Sequence, residues 1–213
     1  MEYFVPAGYG EAEFVEKRSR FIGRVWRTDS EEEALARIEE IREKHWDATH
    51  NVYAYIIRDG GIMRYSDDGE PQGTSGMPVL GVFRSAGVFN VCCVVTRYFG
   101  GILLGAGGLV RAYSHTASLA LESAGIAVMR RWREVKVNCP YSLFERVRNE
   151  VSAFGGAISD IDYGAEVTIS ALLPASRVED FSARLVDMSA GTLAPELGEE
   201  RFRAVSVKER KNE

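Results

Sequence analysis

Two stretches of this 213-residue chain concentrate side chains suited to charged ligands. In Arg97-Tyr98-Phe99-Gly100-Gly101-Ile102-Leu103-Leu104-Gly105-Ala106-Gly107-Gly108-Leu109, an apolar run ends in glycines and passes into a helical pattern. Backbone N–H groups at a helix start attract anions, and glycine lets a phosphate come close to the backbone. Arg97 before the glycines and Arg111 after them can add charge-assisted contacts. The candidate phosphate- or RNA-binding residues are therefore Arg97, Gly100, Gly101, Gly105, Gly107, Gly108 and Arg111. The loop has no Lys-Ser/Thr after its glycines, so it is not a P-loop. Counting GxGxxG from Gly105 puts Val110 where the third glycine belongs, which disfavours a dinucleotide fold. The alternative for the same glycines is close packing or positive φ.

The second stretch is Asp67-Asp68-Gly69-Glu70-Pro71-Gln72-Gly73-Thr74-Ser75-Gly76. Three carboxylates in four residues could hold a divalent cation, but the order does not fit an EF-hand loop. Asp-Gly and Glu-Pro are also ordinary turn chemistry, so a solvated turn or a polar recognition loop is the preferred reading. Ser75 is not in a GxSxG elbow, which argues against a serine hydrolase. Ahead of these lies Asp47-Ala48-Thr49-His50-Asn51, where a histidine beside Asp and Asn could move protons or meet a partner. The candidate recognition residues are Asp47, His50, Asn51, Asp67, Asp68, Glu70 and Thr74. No catalytic residue, metal site or cofactor is assigned. The three segments are expected to form one composite site, with Arg97 and Arg111 facing the carboxylates of Asp67, Asp68 and Glu70.

Elements that position these loops can be read from hydrophobic period and turn residues. Residues 19–28 read as a strand. Ser30-Glu31-Glu32-Glu33 is a capping box, followed by Leu35, Ile38, Ile41 and His45 at helical spacing. Strands follow at 51–57 and 62–65 around the turn Gly60-Gly61, and then a short helix at 77–83 with Pro78 in its first turn. Residues 89–99 are so apolar that this strand should be buried on both faces. A helix over 109–123 ends at Gly125. From 134 the order strand, helix, strand, strand, helix, strand emerges, closing with a strand at 201–207 and a frayed tail at 208–213. The domain boundary is placed near 133.

Composition is that of a globular protein, with 46% hydrophobic and 27% charged residues. No run of about 18 apolar residues is present, so no membrane span is expected. The start Met1-Glu2-Tyr3-Phe4-Val5-Pro6 has no signal-peptide pattern, and a cytoplasmic location is expected. Cys92, Cys93 and Cys139 make no disulfide framework, and the histidines have no metal-ligand spacing. The net charge of −5 excludes general nucleic-acid binding through bulk charge. It is unevenly spread: residues 1–133 carry −1 with 14 arginines, and residues 134–213 carry −4. Arginine suits bidentate contacts with phosphate, so a local basic patch is compatible with the total.

Four spaced blocks resemble the Impact/YigZ family. They are Lys17-x-Ser19-Arg20-Phe21-Ile22; Asp47-Ala48-Thr49-His50-Asn51; Ser66 to Pro71 with Gly73-Thr74-Ser75-Gly76-x-Pro78; and Val94 to Ile102 running through Leu104-Gly105-x-Gly107-Gly108-Leu109 into Arg111-Ala112-Tyr113. Residues from 134 resemble the C-terminal domain of the bacterial YigZ branch. The resemblance implies an α+β chain in two parts. Residues 1–133 would form a ribosomal-protein-like two-layer α/β sandwich, akin to the fourth domain of elongation factor G. Residues 134–213 would form a ferredoxin-like βαββαβ domain, akin to that factor's fifth domain. In eukaryotes the Impact branch binds a ribosome-associated activator of the amino-acid-control kinase. That branch has a further N-terminal RWD domain, which has no counterpart in the 16 residues before the first block.

The leading expectation is a non-enzymatic, translation-linked regulator that binds RNA or the ribosome through the Gly/Arg-rich face of the first domain. One alternative is a Mg-dependent enzyme acting on a phosphorylated or nucleotide substrate. Another is a regulator of the translation or stress-response machinery that docks a protein partner through its acidic second domain.

Overall fold

The computed structural model describes residues 2–206 and is a mixed α+β structure with two sheets. Two compact units divide between Val128 and Met129: residues 3–128 form the first, and the chain from Met129, with Glu2, the second. The division falls inside one continuous strand, Ile126–Cys139, whereas the sequence suggests a boundary near 133.

The first unit opens with two strands absent from the sequence expectations, β1 (Tyr3–Pro6) and β2 (Gly10–Glu16). β2 alternates half-buried Ala12 and Phe14 with exposed Glu11, Glu13 and Val15. A two-residue turn leads to β3 (Ser19–Arg27) and pairs Glu16 with Ser19. α1 (Glu31–Lys44) starts at Ser30, whose Oγ accepts from the Glu33 N–H at 3.2 Å. The Glu33 carboxylate reaches back to the Asp29 N–H at 2.8 Å, so the reciprocal bond closes one residue before Ser30. β4 (His50–Ile57), β5 (Ile62–Ser66), α2 (Gly76–Ala86), β6 (Val91–Tyr98) and α3 (Ala106–Ala124) complete the unit.

The sheet order is β2-β3-β6-β4-β5, and each neighbouring pair is antiparallel. β6 is central and buried except at Tyr98. One face of the sheet, with Val91, Cys93, Val95, Phe21, Val52 and Ile56, packs on Val79 and Phe83 of α2 and on Leu109, Tyr113 and Ala117 of α3. On the other face Cys92, Val94, Tyr55 and Ile57 pack on Ala34, Ile38 and Ile41 of α1. Helices on both faces make three layers here, which corrects the two-layer expectation. The physical reason is that an apolar strand without alternation must be covered on both sides.

The second unit runs β7 (Ile126–Cys139), α4 (Tyr141–Ala153), β8 (Ala157–Tyr163), β9 (Val167–Pro174), α5 (Val178–Met188) and β10 (Glu196–Ser206). In its sheet β8 pairs with β9, β9 with β7, and β10 with β7. β9 buries Val167, Ile169, Ala171 and Leu173 and leaves the alternate residues half-exposed. That face packs on Val147 and Val151 of α4 and on Val178, Phe181 and Leu185 of α5. Val207 of the expected last strand and the expected tail at 208–213 lie outside the described residues. Among the described residues no helix is long and apolar enough to cross a membrane.

Candidate functional site

Strand period places Phe21, His50 and Arg97 at paired positions on the α2/α3 face of the sheet, at the end nearest the loop that joins β5 to α2. Arg97 is where the apolar core of β6 stops. Its Nη1 donates to Glu70 Oε1 at 2.5 Å, and the two side chains are only 6% and 3% exposed. Tyr113, projecting from α3, donates its hydroxyl to the same Glu70 oxygen at 2.7 Å. His50 Nε2 lies 3.8 Å from that oxygen, and its Nδ1 is 2.7 Å from the Asp68 carbonyl. The Arg97 guanidinium also lies over the rings of Phe21 and Phe99, at 5.4 and 5.5 Å from their centroids. Arg97 Nη2 donates to Ser19 Oγ at 3.4 Å, an oxygen that also accepts the Gly100 N–H at 3.2 Å. Burial, reinforced by the charge and hydrogen bond of Glu70, pushes the Tyr113 hydroxyl well above its ordinary pKa, so it stays a neutral donor.

The acidic loop is organised by its own backbone. Asp67 accepts from the N–H groups of Gly73, Ser75 and Gly76 at 2.8, 3.1 and 2.8 Å, and from the Ser75 hydroxyl at 2.7 Å. Its carboxylate therefore covers the open N–H groups where α2 begins, a task that the side chain of Ser75, the capping residue, does not perform. Burial alone would raise its pKa. The bonds from Gly73, Ser75 and Gly76 outweigh it and hold the Asp67 carboxyl below its ordinary value. Asp68 accepts the Asn51 N–H at 2.7 Å and meets Arg42 at 3.5 Å. Thr74 donates its hydroxyl to the Pro71 carbonyl at 2.6 Å. All three carboxylates thus have protein partners. Among the described residues no group of three His, Cys, Asp or Glu side chains is arranged to hold a metal ion.

Asn51 and Tyr98 point to the α1 face. Tyr98 donates to Asp47 at 3.2 Å and lies 2.9 Å from His45 Nδ1, while Asn51 Nδ2 donates to the His45 carbonyl at 3.2 Å. Burial, helped by Arg24 and Lys44, lowers the His45 pKa.

The glycine-rich segment forms a separate surface. Gly100 sits where a Cβ would lie 2.0 Å from the Arg18 carbonyl carbon and 2.4 Å from the Ser19 nitrogen, so the loop after β6 packs directly on the β2–β3 hairpin tip. That tip, Lys17 and Arg18, has φ of +46° and +66° at both positions, where Asn-Gly is the usual choice. Gly105 caps α3 with φ of +74°, and Gly101 has φ of +83°. Gly101, Gly105 and Gly107 are exposed, as are Phe99, Ile102 and Leu103, the last 81% exposed. Arg111, in the second turn of α3, folds its guanidinium back toward Gly107. Lys17, Arg18 and Arg111 form no ion pair among the described residues. Lys17, Arg111, Phe14, Leu104 and His115 line one open groove of about 660 Å³.

The three expected segments therefore split. Arg97, His50 and Glu70 meet beneath α3, and Asp68 joins them through His50. Asp67 and Thr74 build the loop. Asp47 and Asn51 serve the opposite sheet face, and Asn51 touches the loop only through Asp68. Arg111 does not face the carboxylates, which corrects that expectation: residues two apart on a helix point in different directions, and Tyr113 takes the inward position. Gly100 is a packing residue, while Gly108 sits half-buried 3.0 Å (as a built Cβ) from Leu104. Sequence reasoning missed Ser19, Tyr113, Phe14, Lys17, Arg18 and His115 as site residues. Tyr113 had a signal, since Leu109, Tyr113 and Ala117 repeat at helical spacing. Lys17 and Arg18 gave no turn signal, because Lys-Arg is not a usual hairpin-turn pair, although Lys17 stands in the first block of the family resemblance.

Residues 17–121 match the Impact N-terminal domain, and residues 137–192 match a domain of unknown function, DUF1949. The IMPACT family member YvyE of Bacillus subtilis is 36% identical over 190 residues, covering 89% of this chain and 88% of that protein. The IMPACT family member YigZ of Escherichia coli is 39% identical over 180 residues, covering 83% and 88%. A crystal structure described only as that of a hypothetical protein is 36% identical, covers 93% of this chain and 98% of its own, and superposes with a TM-score of 0.59. Rat Protein IMPACT is 35% identical over 109 residues, 49% of this chain but 34% of that protein. With both domain matches in order and relatives aligned over most of their length, the chain belongs to the IMPACT family.

Proposed function

We propose that this protein binds RNA, free or within the ribosome, through the first unit, and catalyses no reaction there. The binding face consists of the Lys17–Arg18 hairpin tip, the Phe99–Gly108 loop and the start of α3. The observation that carries the reading is that Lys17 and Arg111 line one open groove and neither has a carboxylate partner among the described residues. Unpaired cations beside exposed apolar side chains suit a phosphodiester strand, whose charge they neutralise with release of counterions. Arg97 is excluded from this role because Glu70 and Tyr113 enclose it. The carboxylates that a Mg-dependent enzyme needs are engaged by Arg97, Tyr113 and backbone N–H groups, which weighs against that alternative.

The finer fold reading belongs to the same proposal. In the second unit the strand order β8-β9-β7-β10, with α4 and α5 on one face, supports the ferredoxin-like description and the likeness to the fifth domain of elongation factor G. A translation-linked role in the cytoplasm follows from that likeness. The test is a titration of the full chain with ribosomal RNA at several salt concentrations. Affinity should fall steeply with salt, and Lys17→Gln or Arg111→Gln should each reduce the log–log slope by about 0.7. Affinity indifferent to salt and to both substitutions refutes the reading.

A further inference from the structure

The face that meets RNA contains more than cations. The groove between β2 and α3 is floored by Phe14 and Leu104 and edged by Lys17, Arg111 and His115. His115 stands edge-on to Phe14, with ring centroids 4.8 Å apart at 81°, and is itself exposed one turn after Arg111. The volume of about 660 Å³ falls within the range of small-ligand clefts, roughly 300–1,000 Å³. Glu16 is the one acid among the lining residues described, against Lys17, Arg111 and the imidazole of His115.

We propose that this groove seats an unpaired nucleobase of single-stranded RNA against His115 and Phe14, while Lys17 and Arg111 hold the flanking phosphates. The inference rests on the RNA-binding reading above and narrows it from RNA in general to a strand with a splayed base. Duplex RNA hides its base faces in the stack and offers backbone, hydroxyls and base edges, so it could use the cations but not the aromatic pair. A base needs an accessible ring to stack on, and His115 supplies one without unfolding anything. The apolar floor gives the base a partly desolvated seat, and the cations at the rim fix the strand at two points. Charge complementarity selects an anionic occupant, and the ring pair beside it selects one that carries a flat π-face. The hairpin contributes too: Lys17, at a tip held in a left-handed backbone conformation, is one of the residues that line the groove.

The experiment measures anisotropy of four fluorescein-labelled ten-residue probes with the full chain at 50 mM salt: oligouridylate, its abasic counterpart, a ten-base-pair RNA duplex, and oligoglutamate. The wild type should bind oligouridylate at least 10-fold more tightly than the other three. His115→Ala should weaken oligouridylate by roughly 10-fold, as expected for the loss of one stacked base, and leave the abasic probe unchanged. Arg111→Gln should weaken oligouridylate and abasic probes alike. His115 and Arg111 are exposed, and an unchanged Tm for both variants verifies that they fold. If Arg111→Gln acts but His115→Ala does not, the RNA face stands and the base seat is overturned. Equal affinity for duplex or oligoglutamate also overturns the seat. Absence of binding to every nucleic-acid probe overturns both readings.

Discussion

Glu70→Leu is the perturbation that most directly probes the centre of the first unit. It removes the only carboxylate in contact with Arg97 among the described residues, a guanidinium buried on the sheet face beneath α3. A buried charge left without its partner costs about 3–5 kcal/mol. The Tyr113 hydroxyl also loses its acceptor, adding roughly 1 kcal/mol. The total of about 4–6 kcal/mol is comparable with the whole stability of a domain, about 5–15 kcal/mol. At roughly 3 °C per kcal/mol, Tm should fall by about 12–18 °C. Adding Arg97→Met should recover most of that loss, because an apolar pair of similar volume often replaces a buried ion pair at little cost. The assay is thermal and guanidinium unfolding followed by circular dichroism, completed as a double-mutant cycle. A single-variant Tm within about 3 °C of wild type, or a double variant as unstable as Glu70→Leu, refutes the reasoning. The double variant should also keep wild-type affinity for ribosomal RNA, since Arg97 is assigned no phosphate contact.

Three further outcomes are expected. Asp67→Asn should cost about 2 kcal/mol at pH 7 by weakening the bonds that start α2; because the folded pKa of Asp67 lies below the unfolded value, its contribution is present above that value and is lost as pH falls through the folded pKa, so the stability difference between wild type and variant should shrink progressively in an acid denaturation series. The double substitution Lys17→Asn with Arg18→Gly should stabilise the hairpin by about 1–2 kcal/mol, since these residues tolerate positive φ, while lowering the salt slope of RNA binding; chemical unfolding and the RNA titration read the two effects. Gly100→Ala should cost more than about 3 kcal/mol or prevent folding, because the contacted atoms are Arg18 and Ser19 backbone; solubility and circular dichroism check it.

What the sequence made legible follows from local rules. Ser30 and the Ile38, Ile41 spacing mark α1, and the unbroken apolar run marks β6, because capping and burial act within a few residues. The same run implied cover on both faces, yet the two-layer expectation came from resemblance and overlooked it. β2 escaped notice because Glu11, Glu13 and Glu16 lower its apolar content, although its period of two is intact. At the site, the sequence set Arg97 toward the carboxylates of Asp67, Asp68 and Glu70 but could not tell which of them it meets, since 27 positions separate Arg97 from Glu70 and only the fold brings that pair to 2.5 Å. Arg97 looked like a ligand contact because an arginine beside glycines is chemically ambiguous. Burial decides between phosphate and Glu70, and burial is a tertiary property.

The central position of β6 constrains how the first unit can be made. β3 and β4 are neighbours in the chain order of strands but not in space: β6 lies between them and pairs with both. During synthesis from the N-terminus, β3 can pair only with β2 and β4 only with β5, and the inner edge of each stays open until Tyr98 has left the ribosome. At about 5–20 residues per second, the forty or so residues after Ile57 take roughly 2–8 s to appear. For that interval two β-rich segments carry unsatisfied edges next to uncovered valine and isoleucine, the condition in which nascent chains aggregate. The last strand to arrive must enter between two others rather than add at an edge. A late-arriving wedge of this kind should leave truncations that end before residue 98 insoluble, since they carry the open edges without the strand that closes them.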